Sequence, residues 1–172
     1  MTNLPARWDD GTDPDSPEYQ LHWYDEGTVI IRQALRTNFE GPFLYLLLGA
    51  DRALLLDTGT GHVDLRAVVD GLLADRGLDL VVAHTHGHRD HIGGDGQFAD
   101  RPRTEVVGTS AGEVAAYFGV EGWPEEVVTF DLGGRVLDVI PIPGHQGSDL
   151  AFYDRERRLL LTGDSLYPGR LY

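Results

Sequence analysis

Four of the chain's seven histidines, His84, His86, His88 and His91, fall within eight residues, and Asp90 lies among them. Imidazole nitrogen and carboxylate oxygen are donor types that zinc, iron and manganese accept. Residues two apart in an extended or turning segment share a side, about 7 Å from each other before any bend. His86 and His88 can therefore meet one ion. Asp90 and His91 follow where the chain must turn, and can reach a second ion nearby. Gly87, Gly93 and Gly94 permit tight backbone approach. A lone histidine is usually a surface or satisfied core residue. Four in eight residues, with an aspartate, at the end of an apolar strand, point instead to metal binding. His84 sits at the strand end, outside the alternating pattern, and reads as a supporting residue behind the ligands.

Two further segments each present one ligand-type residue. Pro143-Gly144-His145 stands at a sharp turn after an apolar strand, and Gly163-Asp164-Ser165 follows another. Alone, an Asp before a Ser after a strand is more often a turn or cap. With the cluster, His145 and Asp164 become candidates to complete a shell.

The elements that must position these residues read as follows. Thr28 to Leu35, Phe43 to Leu48 and Arg52 to Leu56 are strand-sized, with Gly49-Ala50-Asp51 as a turn. Val63 to Arg76 is predicted helical, because Leu65, Val68, Val69, Leu72 and Leu73 form one apolar stripe; Gly77 is its stop. Leu78 to Ala83 is a buried strand, and the histidine cluster begins at its C-terminal end. Ile92 to Phe98 starts a short helix, Glu105 to Val107 is a short strand, and Ser110 caps a helix to Phe118. Val127 to Phe130 and Arg135 to Ile140 flank a Gly133-Gly134 turn. Leu150 to Tyr153 and Leu159 to Thr162 form a hairpin. Strands dominate and helices are inserted, so the class is α/β or α+β with mixed sheets.

Composition narrows the function. At 172 residues the chain fits one domain with a real core. It has no cysteine, which excludes disulfides, thiolate nucleophiles and Cys-based zinc sites. The formal net charge is −14 and every basic residue is Arg. Nucleic-acid binders usually show a basic face, and no such stripe exists here. No apolar run approaches the roughly 20 residues that span a bilayer, and no signal peptide is recognisable, so the cytoplasm is the expected compartment. Residues 1–26 hold seven acids against one Arg, plus three prolines. They are expected to form an acidic, poorly ordered arm ahead of a domain over 27–172.

The run Thr85-His86-Gly87-His88-Arg89-Asp90-His91-Ile92-Gly93-Gly94 resembles the His-x-His-x-Asp-His motif of the metallo-β-lactamase-fold superfamily. Asp57-Thr58-Gly59 resembles its early Asp motif, Pro143-Gly144-His145 its third-histidine motif, and Thr162-Gly163-Asp164 its bridging aspartate. The resemblance spans roughly residues 28–170. It implies an αββα sandwich of two mixed sheets with outer helices and a shallow groove holding two divalent ions, zinc first, iron or manganese otherwise. His86, His88 and His145 would bind one ion, Asp90 and His91 the other, and Asp164 would bridge them. Asp57 would orient the motif loop. A water shared between two cations loses its proton near neutral pH, and Asp90 beside it would orient it or shuttle a proton. The implied activity is hydrolysis of an ester, thioester, lactone or similar small acyl substrate, in the glyoxalase-II-like or lactonase-like branch.

The departures from the pattern are informative. The commonest zinc β-lactamases carry Cys where Asp164 stands, and the iron flavoprotein branch carries Glu where His88 stands. The family's last histidine follows the bridging aspartate at a distance, whereas only eight residues follow Asp164 here and none is His. The expectation is therefore a C-terminally incomplete domain with a weaker second site, and a homodimer as one way to cover an open sheet edge. The competing readings are a metal-binding module without catalysis and a nucleic-acid phosphodiesterase.

Overall fold

The computed structural model describes residues 9–166. It contains two facing sheets. The first has six strands in the order β1 (Tyr19–Asp25), β2 (Thr28–Gln33), β3 (Phe43–Leu48), β4 (Arg52–Leu56), β5 (Asp79–Ala83) and β6 (Thr104–Val106). β1 to β4 pair antiparallel, because their connections are short. β4, β5 and β6 pair parallel, because each step between them passes through a longer crossover. The second sheet is an antiparallel meander of β7 (Val128–Asp131), β8 (Val136–Pro141), β9 (Leu150–Asp154) and β10 (Leu159–Leu161). The β7–β8 turn uses Gly133 at φ 94° and Gly134 at φ 74°, conformations that side chains disfavour.

The crossover helix α1 (Leu65–Leu73) begins at Asp64, whose side chain accepts from the Ala67 N–H at 3.0 Å. It is shorter than its apolar stripe predicts. The backbone turns extended at Ala74 and left-handed at Asp75, so the helix ends before Gly77. Leu65, Val69 and Leu73 bury against Val29, Leu44, Leu46, Leu55 and Val82 on the outer face of the first sheet. The inner faces of both sheets enclose a second core of Leu54, Leu56, Val81, Leu137, Val139, Leu150 and Phe152.

Two helices remain. The short α2 (Arg89–Ile92) lies inside the histidine motif, followed by a 3-10 turn at Asp95–Gln97. The sequence places a helix from Ile92 to Phe98, so the helical turn starts three residues early and breaks at the glycine pair. The third, α3 (Ala111–Phe118), is closed by a Ser110–Glu113 capping box and by Gly119 in the left-handed region. Phe118 packs on Phe130 and Phe152, and Tyr117 Oη donates to Glu105 at 2.9 Å. Thus α3 closes the side of the sandwich between β6 and β7.

The two-sheet sandwich is the α+β architecture expected, with differences. The second sheet is wholly antiparallel among the described residues. Its outer face, with Leu160 and Val136 each 47% exposed, carries no helix among them. The stretch 1–26, expected to be a poorly ordered acidic arm, contains a strand. Residues 1–8 lie outside the described residues, but Tyr19–Asp25 is a strand, registered Tyr19↔Gln33 to Trp23↔Val29. Alternating Tyr19, Leu21 and Trp23 supply β-forming side chains that the surrounding acids obscure.

Candidate metal centre

The ligand-type residues gather where several strands end. β5 stops at Ala83, and the motif loop begins with the buried His84, Thr85 and His86. Parallel pairing sets Leu56 opposite Ala83, so Asp57 emerges beside Thr85. Asp57 is fully buried and left-handed at φ 66°, a conformation that Asp tolerates better than most residues. Its Oδ1 accepts from the Thr85 N–H at 2.8 Å. Its Oδ2 accepts from Thr85 Oγ1 and faces His91 Nδ1, both at 2.8 Å. With Nδ1 donating to Asp57, the other nitrogen of His91 points into the site.

Three imidazoles converge. His88 Nδ1 lies 3.0 Å from His86 Nε2 and 2.8 Å from His145 Nε2. One nitrogen has a single proton or a single lone pair, so it cannot satisfy both neighbours. A cation at the point of convergence would serve all three. Tetrahedral nitrogen ligands of zinc lie about 3.4 Å apart, a few tenths of an ångström wider than these separations. The donor atoms of His86, His88 and His145 all fall within 4.8 Å of one another.

A second group, His86, His91 and Asp164, meets the same limit. His91 Nε2 is buried without a hydrogen-bond partner. It lies 3.3 Å from Asp90 Oδ2 and 3.4 Å from Asp164 Oδ1. His86 thus belongs to both groups, a place the sequence reserves for Asp164. The Asp164 carboxylate nevertheless spans them, its other oxygen 3.9 Å from His145 Nε2. Asp90 joins neither group but borders the second. The turn that carries Asp164 packs Gly163, at φ 52°, so closely on Thr85 that a side chain there would clash.

His84 stays outside both groups. Its Nε2 is 3.2 Å from Asp95 Oδ2 and its Nδ1 is 4.0 Å from Asp57. Asp95 in turn accepts from Thr58 Oγ1 at 2.7 Å. Sequence reasoning names Thr85 and Thr58 within motifs but gives neither a role, and it misses Asp95. Thr85 had a signal, as the residue that opens the motif; the other two contacts cross long sequence separations.

Electrostatics divide the histidines. Burial pushes the His86 pKa down to about 4, and the neighbouring His91 charge adds to this. Burial opposes a charged His91 too, but Asp164, Asp57 and Asp90 outweigh it and push its pKa up to about 12. The His91 imidazole beside it holds Asp164 below the usual carboxylate range against burial. Burial raises Asp90, and His91 more than offsets it. A cation binding here must displace the His91 proton, whereas His86 is already neutral.

A groove of about 1130 Å³ opens over these groups. One wall is the loop after β2, with Phe39 85% exposed and Glu40 near the ligand set. Burial, then the Asp90 and Asp164 charges, raise the Glu40 carboxyl above its ordinary range.

A family model described as the metallo-beta-lactamase superfamily matches residues 38–172. A hydroxyacylglutathione hydrolase from Synechococcus sp. (strain JA-2-3B'a(2-13)) is 36% identical over 148 residues, covering 82% of this chain and 54% of that protein. The human acyl-coenzyme A thioesterase MBLAC2 is 28% identical over 193 residues, covering 88% of this chain and 69% of that protein. The chain thus spans about half the length of the first of these relatives. Among solved structures, a metallo-beta-lactamase from Pontibacter korlensis superposes with a TM-score of 0.61 at 22% identity, covering 83% of this chain and 69% of that one. This likeness is one of fold.

Proposed function

Because the chain belongs to the metallo-β-lactamase superfamily, we propose that it is a metal-dependent hydrolase of thioesters. The observation that carries the reading is the convergence of the His86, His88 and His145 nitrogens beside the His91–Asp164 pair. Relatives named for the hydrolysis of acylglutathione and acyl-coenzyme A favour a thioester over a lactone.

In this reading His86, His88 and His145 would hold one divalent ion and Asp90, His91 and Asp164 would hold a second. Zinc suits this donor set best, with iron or manganese as substitutes. Ions so bound lower the pKa of water and polarise an acyl oxygen. The chain's own residues do the rest. Asp57 fixes the ring of His91 and the motif loop through three 2.8 Å contacts. Asp90, 3.3 Å from His91 Nε2, stands where it can orient the attacking water and take its proton. The open groove admits a small acyl compound. Among the described residues no helix is long and apolar enough to cross a membrane, and we place the protein in the cytoplasm.

The test is an elemental analysis of purified protein, with S-acylglutathione and acyl-coenzyme A thioesters as substrates. Bound zinc, iron or manganese is expected, with turnover that disappears in the double variant His86→Ala, His88→Ala. Turnover that survives in that variant would sink the reading. Metal without turnover would favour the non-catalytic module instead.

A further inference from the structure

The three ligand-bearing segments come from distant parts of the chain, yet one set of non-ligand groups joins them. The Gly87 N–H, between His86 and His88, donates to Gln146 Oε1 at 2.9 Å. The Gln146 N–H, next to His145, donates to Asp149 Oδ2 at 2.7 Å. Ser165 Oγ, next to Asp164, approaches the same Asp149 oxygen at 3.5 Å, a long contact. Each of these contacts lies one residue from a candidate ligand. The backbone repeats the tie, since the Leu150 N–H donates to the Thr85 carbonyl at 2.8 Å.

Asp149 is 1% exposed, and its Oδ1 is buried with no hydrogen-bond partner. Burying a carboxylate with only one of its oxygens well paired costs stability, and here that oxygen is the one facing the His145 loop and the Asp164 turn. Exceptions of this kind are expected at functional or strained sites. We propose that Gln146 and Asp149 are positioning residues that clasp the motif loop, the His145 loop and the Asp164 turn into one frame. The inference rests on the metal centre proposed above. Neither residue touches the ion; they act by fixing where His86, His88, His145 and Asp164 stand before metal binds.

The experiment measures zinc affinity of the full chain by competition with a chromophoric chelator. Thermal melting of chelator-stripped protein runs beside it. Gln146 is only half-buried, so Gln146→Leu removes the acceptor without opening the core. It is expected to weaken zinc binding about 10–100-fold, the usual effect of losing a partner behind the ligands, while the stripped protein melts as the wild type does. Asp149→Ala is expected to weaken zinc binding as well. Asp149→Asn, which keeps an acceptor oxygen for the Gln146 N–H, is expected to recover most of the affinity. Wild-type affinity in both Gln146→Leu and Asp149→Ala would overturn the clasp alone. So would a loss in Gln146→Leu that only follows a fall in melting temperature. A wild-type chain that binds no zinc would overturn the metal centre, and the clasp with it.

Discussion

Asp57→Asn separates the orienting role of this residue from its bulk. The side chain is fully buried, so the amide must take the carboxylate's place with little rearrangement. One oxygen can still accept from the Thr85 N–H. The other position becomes an NH2 group, which cannot accept from His91 Nδ1–H. Once metal binding has taken the second His91 proton, either the ring keeps the remaining one on Nδ1 and loses its partner, or that proton moves to Nε2, which then cannot bind metal. A hydrogen bond to a charged group contributes about 1.5–3 kcal/mol. Breaking a buried ion pair costs ~3–5 kcal/mol when one charge is left alone. His91 is not left alone, because Asp90 and Asp164 lie 3.3 and 3.4 Å from its Nε2. The smaller figure therefore applies, and we expect a loss of about 2 kcal/mol in urea denaturation of the metal-stripped protein. In a chain of this size that is roughly 4–8 °C of melting temperature. Metal affinity is expected to fall about 10–100-fold. Wild-type stability together with wild-type zinc affinity in the Asp57→Asn variant would refute the reasoning, because the Asp57–His91 contact would then hold neither ring nor tautomer.

Arg135 and Asp154, each 3% exposed, form a buried pair at 2.9 Å, and Arg135 also reaches Thr28 Oγ1. Arg135→Met is expected to cost about 3 kcal/mol, the low end for a broken buried pair, since Arg157 stays 3.3 Å from Asp154; a urea-melt loss below ~1 kcal/mol would show the pair to be screened. Metal loading should release a proton near pH 7, because His91 holds one up to about pH 12. Apparent zinc affinity should then rise about tenfold per pH unit between pH 6 and 8; calorimetry in buffers of different ionisation heat that finds no proton release would contradict this.

The centre was legible in sequence to the extent that its residues cluster. His86, His88, Asp90 and His91 crowd one strand end, and His145 and Asp164 stand out once the motif suggests a partner set. The missing parts have no local signal. Gln146 meets Gly87 across 59 positions and Thr58 meets Asp95 across 37; neither pair has a spacing that a period of 2 or 3.6 would reveal. β1 was hidden for another reason. Its acids and prolines sit in the same stretch as Tyr19, Leu21 and Trp23, and composition averaged over 26 residues outweighs an alternation of three. The helix at Ile92 was misplaced because His88 to His91 read as ligands rather than as a helical turn. In the structure His91 and Ile92 donate backbone N–H groups to the His88 carbonyl while the side chains of His88 and His91 face the site.

What assembles the centre is the parallel pairing of β4 with β5. Leu54 and Leu56 pair with Val81 and Ala83 and face the inter-sheet core, whereas Ala53, Leu55, Leu80 and Val82 face the core under α1. Both faces are buried, so these strands read as unbroken apolar runs, as parallel strands in covered sheets do. Such runs carry no alternation to set their register, and α1 with the core on either side must set it. The consequence is strict. Asp57 donates its N–H to the Ala83 carbonyl at 2.9 Å and Thr58 donates to the His91 carbonyl at 2.7 Å. A slip of one residue would turn every side chain of β4 to the other face and carry the Asp57 carboxylate away from Thr85 and His91. The chemistry at the strand ends is therefore held by leucines and valines that never approach it.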